Sequence, residues 1–436
     1  MNKPAISSKM LELAQDVIFV IFSHMSIKEV IRLKRVSRAV LTYVVEYQQT
    51  YSEQTMLNDN CDDCYIDRVK FEFPNIKLGI NRHIKWQPNN INKHISLPDN
   101  YKSLHTLCLG EIYLITPISD LHQLRRLALN NVEGDICLAK LVNLERFTIY
   151  NYCTNVSIAS QPDLLNDTVL KQLSRLKELR LSSTRCTGDL TLLKGLVHLR
   201  LNNVKNESDL SKLTQLDYLE LANSNNNSDI SRLTNLKSLI LNSSINNSNL
   251  SQLTNLESLH IKGGNNTSNI NKLTKLRYLA LICAKVEVHL PNLTNLVDLT
   301  LIDVDINTDL GVLTKLVGLY LYNCEYRYNL ADMPRLRELT LSNVVYKHCL
   351  SSLSNLRRLH LIDMSYIYDL SKIHTLRDLY INASVISAGL TDLWRLDTLE
   401  LSKLDTIADL SALPITTKLT MRDCPNISLA ARVVDI

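Results

Sequence analysis

Apolar residues recur along this chain with a period of twenty residues. The period holds without an insertion from Asp189 to Cys424, and five columns, filled mostly by leucine, stay in phase over that stretch. A clear copy of the unit is DISRLTNLKSLILNSSINNS at residues 229–248. One unit of this size cannot bury its own leucines, so stacking of successive units has to supply the core. The pattern therefore predicts a repeat architecture.

Each unit contains an L-x-L segment, for example Leu239 and Leu241. Side chains alternate along a strand, so this segment predicts a strand with both leucines inward that pairs in parallel with its copies. A column of Asp and Asn, including Asp209 and Asp229, precedes an apolar residue and is typical of a turn or a helix N-cap. Twenty residues leave little room for a full helix, so 3₁₀ or extended turns are predicted opposite the strands.

The repeat also extends upstream of its regular part. The same spacing begins at Leu104, is interrupted by an insertion around residues 150–172, and resumes at Leu176, which gives sixteen units up to Met421. One turn column changes character near residue 285, and it reads Asn206, Asn226, Asn246, Asn266, Val286, Ile306, Tyr326, Tyr346, Tyr366 and Ile386. This column predicts a polar turn that gives way to an apolar one.

The core L-x-x-L-x-L-x-x-[N/C/small], here Leu236, Leu239, Leu241 and Ser244, resembles the leucine-rich-repeat family. The resemblance covers about three quarters of the chain. It implies an α/β solenoid: a curved stack with a parallel concave β-sheet, short 3₁₀ segments or turns on the convex side, and a protein-binding role. The column that the family fills with Asn or Cys varies here from Val204 onwards, so a continuous Asn ladder is not expected at that column.

Residues 13–40 differ from the repeats. Apolar residues at helical spacing surround Ser26 and Glu29, which form a capping box at a helix start. The pattern predicts a three-helix head with more apolar surface than so short a segment can bury alone.

This head resembles the F-box. The matching positions are Leu13, Asp16, Val17, Ile18, Ile21, Phe22, Ser23, Met25, Glu29, Val30, Leu33, Val36, Ser37 and Arg38. The resemblance implies docking on the Skp-type adaptor of a cullin-based ubiquitin ligase through Leu13, Ala14, Val17, Ile18, Ile21, Phe22, Leu33 and Val36. The family has Pro at the position of Ala14, and because that Pro packs on the adaptor, its absence bears on affinity. The alternative is a helical cap that seals the first repeat.

Three regions are therefore expected. Residues 1–48 form the F-box-like head, residues 49–100 a connector or degenerate cap, and residues 101–436 the leucine-rich-repeat solenoid. Within the connector Val69, Phe71 and Phe73 alternate as in a strand.

Composition narrows the functional classes. The 436 residues carry 48 Lys and Arg against 44 Asp and Glu, a net charge of +4 that does not favour a nucleic-acid partner. No apolar run has the length of a bilayer span, and the N-terminus does not resemble a signal peptide. The ten cysteines are scattered rather than dense. We therefore expect a cytoplasmic or nuclear protein that is not secreted and has no membrane partner.

Catalytic signals are weak. Cys61 and Cys64 form the single C-x-x-C, without a second ligand pair nearby, so no metal is expected. The sequence contains no phosphate-binding loop, nucleophile elbow or H-E-x-x-H. No cofactor and no enzymatic activity are predicted.

The exposed positions beside the strand leucines are the candidate target-binding site. They are Tyr278, Ile282, Ile302, Tyr320, Tyr322, His360, Ile362 and Tyr380 in the second half of the repeats, and Arg126, Arg146, Arg180 and Arg200 in the first half. His260 and Glu400 lie near them. Aromatic and aliphatic residues on one strand face are typical of a binding surface, although strand propensity alone also favours Tyr and Ile.

Three functions fit these observations. The first is a substrate receptor of a cullin-RING ligase with an unidentified protein target. The second is an interaction scaffold whose head is only a cap. The third is an adhesin, since D-[LI]-S-x-L-T-N-L also resembles internalin-type repeats, and the lack of a recognisable signal peptide weighs against it.

Overall fold

In a computed structural model of the chain, the described part runs from residue 104 to residue 424, preceded by the backbone of three strands. Its gaps are 115–116, 135, 152–162, 265, 267–268, 285–289, 331–332, 365–367, 371, 383–385, 389, 391–392, 405–409, 411–412 and 414–415. The F-box-like head, the Cys61–Cys64 pair and the Val69–Phe73 alternation lie outside the described residues.

The chain divides into two compact units, Met1–Arg185 and Cys186–Ile436. Strands of the first unit are β1 Gln54–Asn58, β2 Lys77–His83, β3 His94–Ile95, β4 Thr106–Leu114, β5 Arg126–Gly134, β6 Arg146–Tyr150 and β7 Glu178–Ser182. They pair in parallel, β1 to β2, β2 and β3 to β4, and then β4 through β7 in sequence. One 3₁₀ turn, Ile118–Asp120, precedes β5, and one α-helix, α1 at Asp167–Gln172, follows the insertion.

The second unit repeats one strand every twenty residues. Its main sheet contains β8 His198–Asn202, β9 Tyr218–Ala222, β10 Ser238–Asn242, β11 Ser258–Lys262, β12 Tyr278–Ile282, β13 Asp298–Ile302, β14 Gly318–Tyr322, β15 Glu338–Ser342, β16 Arg358–Ile362, β18 Asp378–Asn382, β20 Thr398–Ser402 and β21 Lys418–Arg422. Each strand pairs in parallel with the one twenty residues further on, for example Leu239 with Leu259. Two short strands, β17 Tyr368–Asp369 and β19 Ile386–Ala388, form a small separate sheet. The predicted strands and their parallel register are confirmed.

Leucines of the five in-phase columns form the core of each turn. In one turn Leu210, Leu213, Leu216, Leu219 and Leu221 are all at most 3% exposed. The first three lie in two consecutive tight turns, which point them inward, and the last two lie on β9. A fully buried leucine stabilises a fold by about 1.5–3 kcal/mol before entropy losses, so stacking such turns supplies the core that no single turn has.

The side opposite the strands is made of short 3₁₀ turns, as the spacing predicted. They are Leu190–Leu192, Leu210–Lys212, Ile230–Arg232, Leu250–Gln252 and Leu290–Asn292. In the first four, the side chain of the preceding Asp or Asn accepts a hydrogen bond from a backbone N–H two residues on. The Asp/Asn column therefore caps these turns.

A second conformational column directly follows the strands. Its residues adopt the left-handed region, with φ between 46° and 61° in the second unit. They are Asn203, Asn223, Ser243, Gly263, Cys283, Asp303, Asn323, Asn343, Asp363, Lys403 and Asp423. Asn, Asp and Gly tolerate this conformation best, which explains why they dominate the column. The sharp change of chain direction after these strands depends on it.

Buried asparagines connect successive turns of the second unit. Asn226 Nδ2 donates to the carbonyl oxygens of Asn206 and Ser208, at 3.0 and 2.9 Å. Its Oδ1 accepts from the Ser228 N–H at 3.0 Å. Asn206, Asn246 and Asn266 repeat the same type of inter-turn bond. An Asn ladder therefore exists, two positions beyond the column that the family normally uses.

Stacked tyrosines replace this ladder further along the second unit. The rings of Tyr326 and Tyr346 stack with centroids 6.1 Å apart, and those of Tyr346 and Tyr368 stack at 6.4 Å. All three are at most 1% exposed. The third ring of this Tyr stack belongs to Tyr368, which lies two residues beyond the position that continues the column of Tyr326 and Tyr346.

The Ser hydroxyls and the tyrosines satisfy the same backbone group. The N–H of Leu210 donates to Ser228 Oγ at 3.0 Å, and the equivalent N–H of Leu310 donates to the Tyr326 hydroxyl at 3.1 Å. Both acceptors come from the following turn. The predicted change from a polar to an apolar turn is thus confirmed. The buried backbone N–H at the start of the turn keeps a hydrogen-bond acceptor in both cases.

Candidate functional site

Outward positions of the strands form an open face, here called the sheet face. In each five-residue strand the second and fourth residues point into the core, and the first, third and fifth point outward. Every predicted target-binding residue occupies one of these outward positions. Nine of them belong to the second unit, namely Arg200, Tyr278, Ile282, Ile302, Tyr320, Tyr322, His360, Ile362 and Tyr380, and Arg126, Arg146 and Arg180 belong to the first.

Two of the three candidate arginines in the first unit are already paired. Arg146 Nε lies 3.4 Å from one carboxylate oxygen of Glu178, and Arg180 Nη2 lies 2.6 Å from the other. Glu178 is buried between them. Because one carboxylate is shared by two guanidinium groups, this cluster retains one net positive charge. Arg126 has no ion pair with a described residue.

Arg200 is also neutralised by neighbours that the sequence prediction missed. Its Nε lies 2.7 Å from Glu220, and its Nη2 donates to the Tyr218 hydroxyl at 2.8 Å. The same hydroxyl donates to Glu220 at 2.7 Å. Burial, and the hydrogen bond to Glu220, raise the pKa of Tyr218. This closed triad fixes Arg200 in place, so the arginine is less available to a partner than its position suggested.

An apolar strip crosses three strands of the second unit. Ile282, Ile302 and Tyr322 occupy the fifth position of β12, β13 and β14 and are in direct register. All three are half-buried. Strand spacing of about 4.8 Å places them side by side, so that the strip extends over roughly 10 Å.

A carboxylate row runs along the opposite side of the sheet face, at the first strand position. It consists of Asp298, Glu338 and Asp378, with Arg358 between the last two at 3.0 and 3.9 Å. The Tyr320 hydroxyl donates to Glu338 at 2.8 Å. Asp298 has no arginine beside it, and burial, with repulsion from Glu338, raises its pKa.

Gly318 makes this arrangement possible. It occupies the first position of β14, between Asp298 and the ring of Tyr320. A Cβ at this position would meet the Asp298 carboxylate and lie 2.9 Å from the Tyr320 hydroxyl. The absence of a side chain therefore lets Tyr320 fold across the face and reach Glu338.

A shallow cavity of about 320 Å³ opens further along the same face, lined by His360, Ile362, Asp378, Leu379, Tyr380, Thr398 and Glu400. The His360 and Tyr380 rings meet edge to face at 5.6 Å. Asn382 Nδ2 donates to the Tyr380 hydroxyl at 3.2 Å, which holds the ring upright. Burial lowers the pKa of His360, so its imidazole is neutral at pH 7. The cavity therefore offers two carboxylates, a neutral imidazole and aromatic surface.

Within the described part of the chain no group of three or more His, Cys, Asp or Glu could hold a metal ion. The described helices are all too short and too polar to span a membrane. The arrangement is suited to binding, since its apolar strip and its acidic groups are both open to a ligand.

Replacing Asp298 by asparagine is expected to increase thermal stability at neutral pH. The pKa of this carboxyl is raised in the folded state. Such a group favours folding less as the pH rises above its unfolded pKa of about 3.9, so its ionised form costs stability at pH 7. Because Asp298 is only half-buried, the gain should stay below about 1 kcal/mol.

Melting temperatures of the parent chain and Asp298→Asn, compared between pH 4 and pH 8, check this expectation. The difference should grow with pH. A difference that does not depend on pH would show that ionisation of Asp298 carries no cost.

Comparison with known proteins identifies the fold. The architecture is similar to that of a leucine-rich-repeat protein of Leptospira interrogans, with a TM-score of 0.53 and 20% identity over 77% of this chain and 88% of that one. The functional domain of InlJ from Listeria monocytogenes has a TM-score of 0.49 and 20% identity, covering 65% of this chain and 64% of its own. An internalin, InlF, of the same organism gives 0.41 and 19%, covering 80% and 92%.

Sequence comparison adds no closer relative. No protein-family model matches the chain, and no curated protein does. The parallel solenoid is that of leucine-rich-repeat proteins.

Proposed function

We propose that the chain is a non-catalytic receptor that binds a protein target on the sheet face of its second unit. The observation that carries this proposal is the apolar strip Ile282–Ile302–Tyr322, which lies on the same sheet face as the carboxylate row, at the other end of the strands. Apolar surface that is rimmed by positioned polar groups is typical of protein interfaces. The strip residues lie on hydrogen-bonded parallel strands, which hold them rigid. Binding of a target therefore costs little conformational entropy in this chain.

The second part of the proposal assigns the N-terminal head to a ubiquitin ligase. Its support is the F-box-like pattern from Leu13 to Arg38, which precedes leucine-rich repeats in the order that the family uses. In this role the head docks a Skp-type adaptor of a cullin-RING ligase in the cytoplasm or nucleus. The chain would act by proximity alone, because it raises the concentration of target lysines near the charged conjugating enzyme.

A capture experiment with purified Skp-type adaptor tests the head. The intact chain is expected to bind, and a chain without residues 1–48 is not. Ala14→Pro, which restores the residue that F-boxes have at this position, should tighten binding. No binding by either the intact chain or Ala14→Pro would contradict the ligase role.

Capture of bound proteins from a cell lysate, with the full chain as bait and the adaptor as an internal standard, tests the sheet face. Ile302→Asp introduces a charge into the apolar strip and should abolish recovery of a target while adaptor binding persists. Ile245→Asp is a matched control, because Ile245 is exposed but lies in the turn after β10, away from the sheet face. Equal loss of target in both variants would argue against the strip.

An interaction scaffold without a ligase link is the alternative. It shares the sheet face and differs only in the head, which would then be a cap. The internalin-like adhesin is the third possibility, supported by the D-[LI]-S-x-L-T-N-L repeats. Target binding without adaptor binding would favour these two.

A further inference from the structure

Three arginines occupy the same position in three successive turns. Arg337, Arg357 and Arg377 each lie just before a strand, at β15, β16 and β18. Arg357 N–H donates to the Arg337 carbonyl at 2.8 Å, and Arg377 N–H donates to the Arg357 carbonyl at 2.8 Å. All three side chains are exposed. We call this row the arginine ladder.

Such a row is unfavourable for folding by itself. Hydrogen-bonded rungs lie about 4.8 Å apart, and like charges directly opposite each other in a sheet are destabilising. Arg377 is relieved by Asp397, whose carboxylate lies 3.2 Å away on the next turn. No ion pair joins Arg337 or Arg357 to a described residue.

Elsewhere the chain avoids this arrangement at the equivalent position. In the first unit Arg125 is followed by Glu145, and the two form an ion pair at 3.2 Å. Further along, Glu257 lies between Lys237 and Arg277, and the next two turns carry valine. Charges at this position therefore alternate in sign or are absent until the arginine ladder begins. Because this run of three like charges is confined to three successive turns, it indicates a function at that part of the surface.

Two further exposed arginines and an exposed tryptophan lie in the same turns or the next one. Arg335 and Arg395 are exposed at the position two residues before the ladder column. Trp394 is 57% exposed, and the Arg395 guanidinium carbon lies 4.3 Å from its ring centroid. The exposed Trp394 ring and the Arg395 guanidinium group that covers it provide apolar contact as well as charge.

We propose that the arginine ladder is a docking strip for an acidic, extended segment of a partner protein, with Trp394 contacting an apolar residue of that segment. Guanidinium groups form bidentate hydrogen bonds with carboxylates, and a bound carboxylate would relieve the repulsion that the folded chain leaves uncompensated. The arginine ladder borders the carboxylate row but does not include the apolar strip, so this proposal does not rest on the target proposed for the sheet face.

Neighbouring acids favour a protein segment over a nucleic acid. Glu338 and Asp378 directly follow Arg337 and Arg377 in the chain, and Asp397 ends the row. The positive strip is therefore narrow and short. An extended peptide with a few acidic residues fits such a strip, whereas the continuous phosphate charge of a nucleic acid would also meet these carboxylates.

Fluorescence anisotropy with the full chain tests the proposal. The probe is a fluorescein-labelled twelve-residue peptide of alternating Glu and Ser with one central Leu, and a single-stranded oligothymidine of similar length is the second probe. We expect Arg337→Gln/Arg357→Gln to weaken peptide binding at least about tenfold, since two charge-assisted bonds are lost. Arg327→Gln/Lys347→Gln removes the same charge from exposed residues in the turns after β14 and β15, and should change binding less than about twofold.

Tryptophan emission gives a second readout. The sequence has two tryptophans, so peptide-induced quenching that disappears in Trp394→Phe would place the probe beside the arginine ladder. The ladder variant should also melt at the same or a higher temperature than the parent chain. That result separates loss of binding from loss of folding.

Three outcomes would overturn the proposal. One is equal peptide affinity in the ladder variant and the control variant. Another is absence of peptide binding by the intact chain at low salt. The last is oligothymidine binding that is tighter than peptide binding and is lost in the ladder variant, which would assign the strip to nucleic acid.

Discussion

Replacing Tyr346 by alanine is expected to destabilise the second unit by about 3–5 kcal/mol, the usual cost of emptying a buried aromatic site. The ring is 1% exposed and is stacked between Tyr326 and Tyr368. Its removal leaves a cavity between two rings that are fixed by their own turns. The Leu330 N–H, which donates to the Tyr346 hydroxyl at 3.3 Å, would also lose its acceptor.

A phenylalanine variant separates these two contributions. Tyr346→Phe retains the stack and loses only the acceptor for the Leu330 N–H, so it should cost about 1–3 kcal/mol. Tyr278→Ala is the exposed control, since this ring is 45% exposed, and it should cost less than about 1 kcal/mol. If Tyr346→Ala and Tyr278→Ala cost the same, the Tyr stack has no structural role.

Urea unfolding of the full chain and amide hydrogen exchange together measure these effects. Turns of a repeat protein interact mainly with their neighbours, so the loss of protection should be largest in β14, β15 and β16. Uniform loss across the second unit would instead indicate that all its turns unfold together.

The second large effect is expected at Asn226, which is 2% exposed. Leucine has a similar size but cannot form any of its hydrogen bonds. Asn226→Leu would leave the Asn206 carbonyl without its side-chain donor and the Ser228 N–H without its acceptor, whereas the Ser208 carbonyl would keep the hydrogen bond from the Ser228 hydroxyl. Because each buried unsatisfied group costs about 1–3 kcal/mol, the two groups together should cost at least about 2 kcal/mol.

An exposed asparagine provides the matched control. Asn235 Nδ2 also donates to a carbonyl of the preceding turn, that of Thr214, at 2.9 Å, but its side chain is in contact with water. Asn235→Leu should cost no more than about 1 kcal/mol, because water can replace the lost partner. Similar urea midpoints for the two variants would mean that burial does not strengthen the Asn ladder.

An aspartate at the same position adds a pH dependence to this test. Asn226→Asp retains the acceptor for Ser228 but replaces a donor by an oxygen that faces two carbonyl groups. Burial and these carbonyls should raise the folded pKa of the new carboxyl above the unfolded value of about 3.9. Stability relative to the parent should therefore fall as the pH rises from 4, and a pH-independent loss would contradict this account.

The sequence alone predicted most of the architecture, because each turn repeats the same local chemistry. Leucine columns specify which side chains are buried, and the alternation in L-x-L specifies strands. A twenty-residue period leaves room only for 3₁₀ turns, and the Asp/Asn column supplies their caps. The left-handed residues after each strand were also visible as a column of Asn, Asp and Gly, but they were not recognised as a conformational signal.

For the candidate binding face, the sequence predicted which side chains point outward but not which of them are free of partners within the chain. All twelve candidate residues lie on outward strand positions, since period-two alternation fixes the face. Whether a side chain is free depends on neighbours twenty residues away. Arg146 and Arg180 share Glu178, and Arg200 is held by Tyr218 and Glu220. Columns of the sequence show these neighbours, but the rotamers that join them are decided by packing.

What the sequence determined by itself about this protein is the repeat: its period, its strands, its capped turns and its core, because those depend on contacts that every turn makes in the same way. What only the tertiary structure decided is which side chains of successive turns contact each other where the turns differ in sequence. It showed that the Asn ladder lies two positions beyond the expected column, that Tyr368 completes the Tyr stack, and that arginines of equal charge face one another on adjacent rungs. The period brings these side chains into register, but how unlike side chains orient and pair there depends on packing.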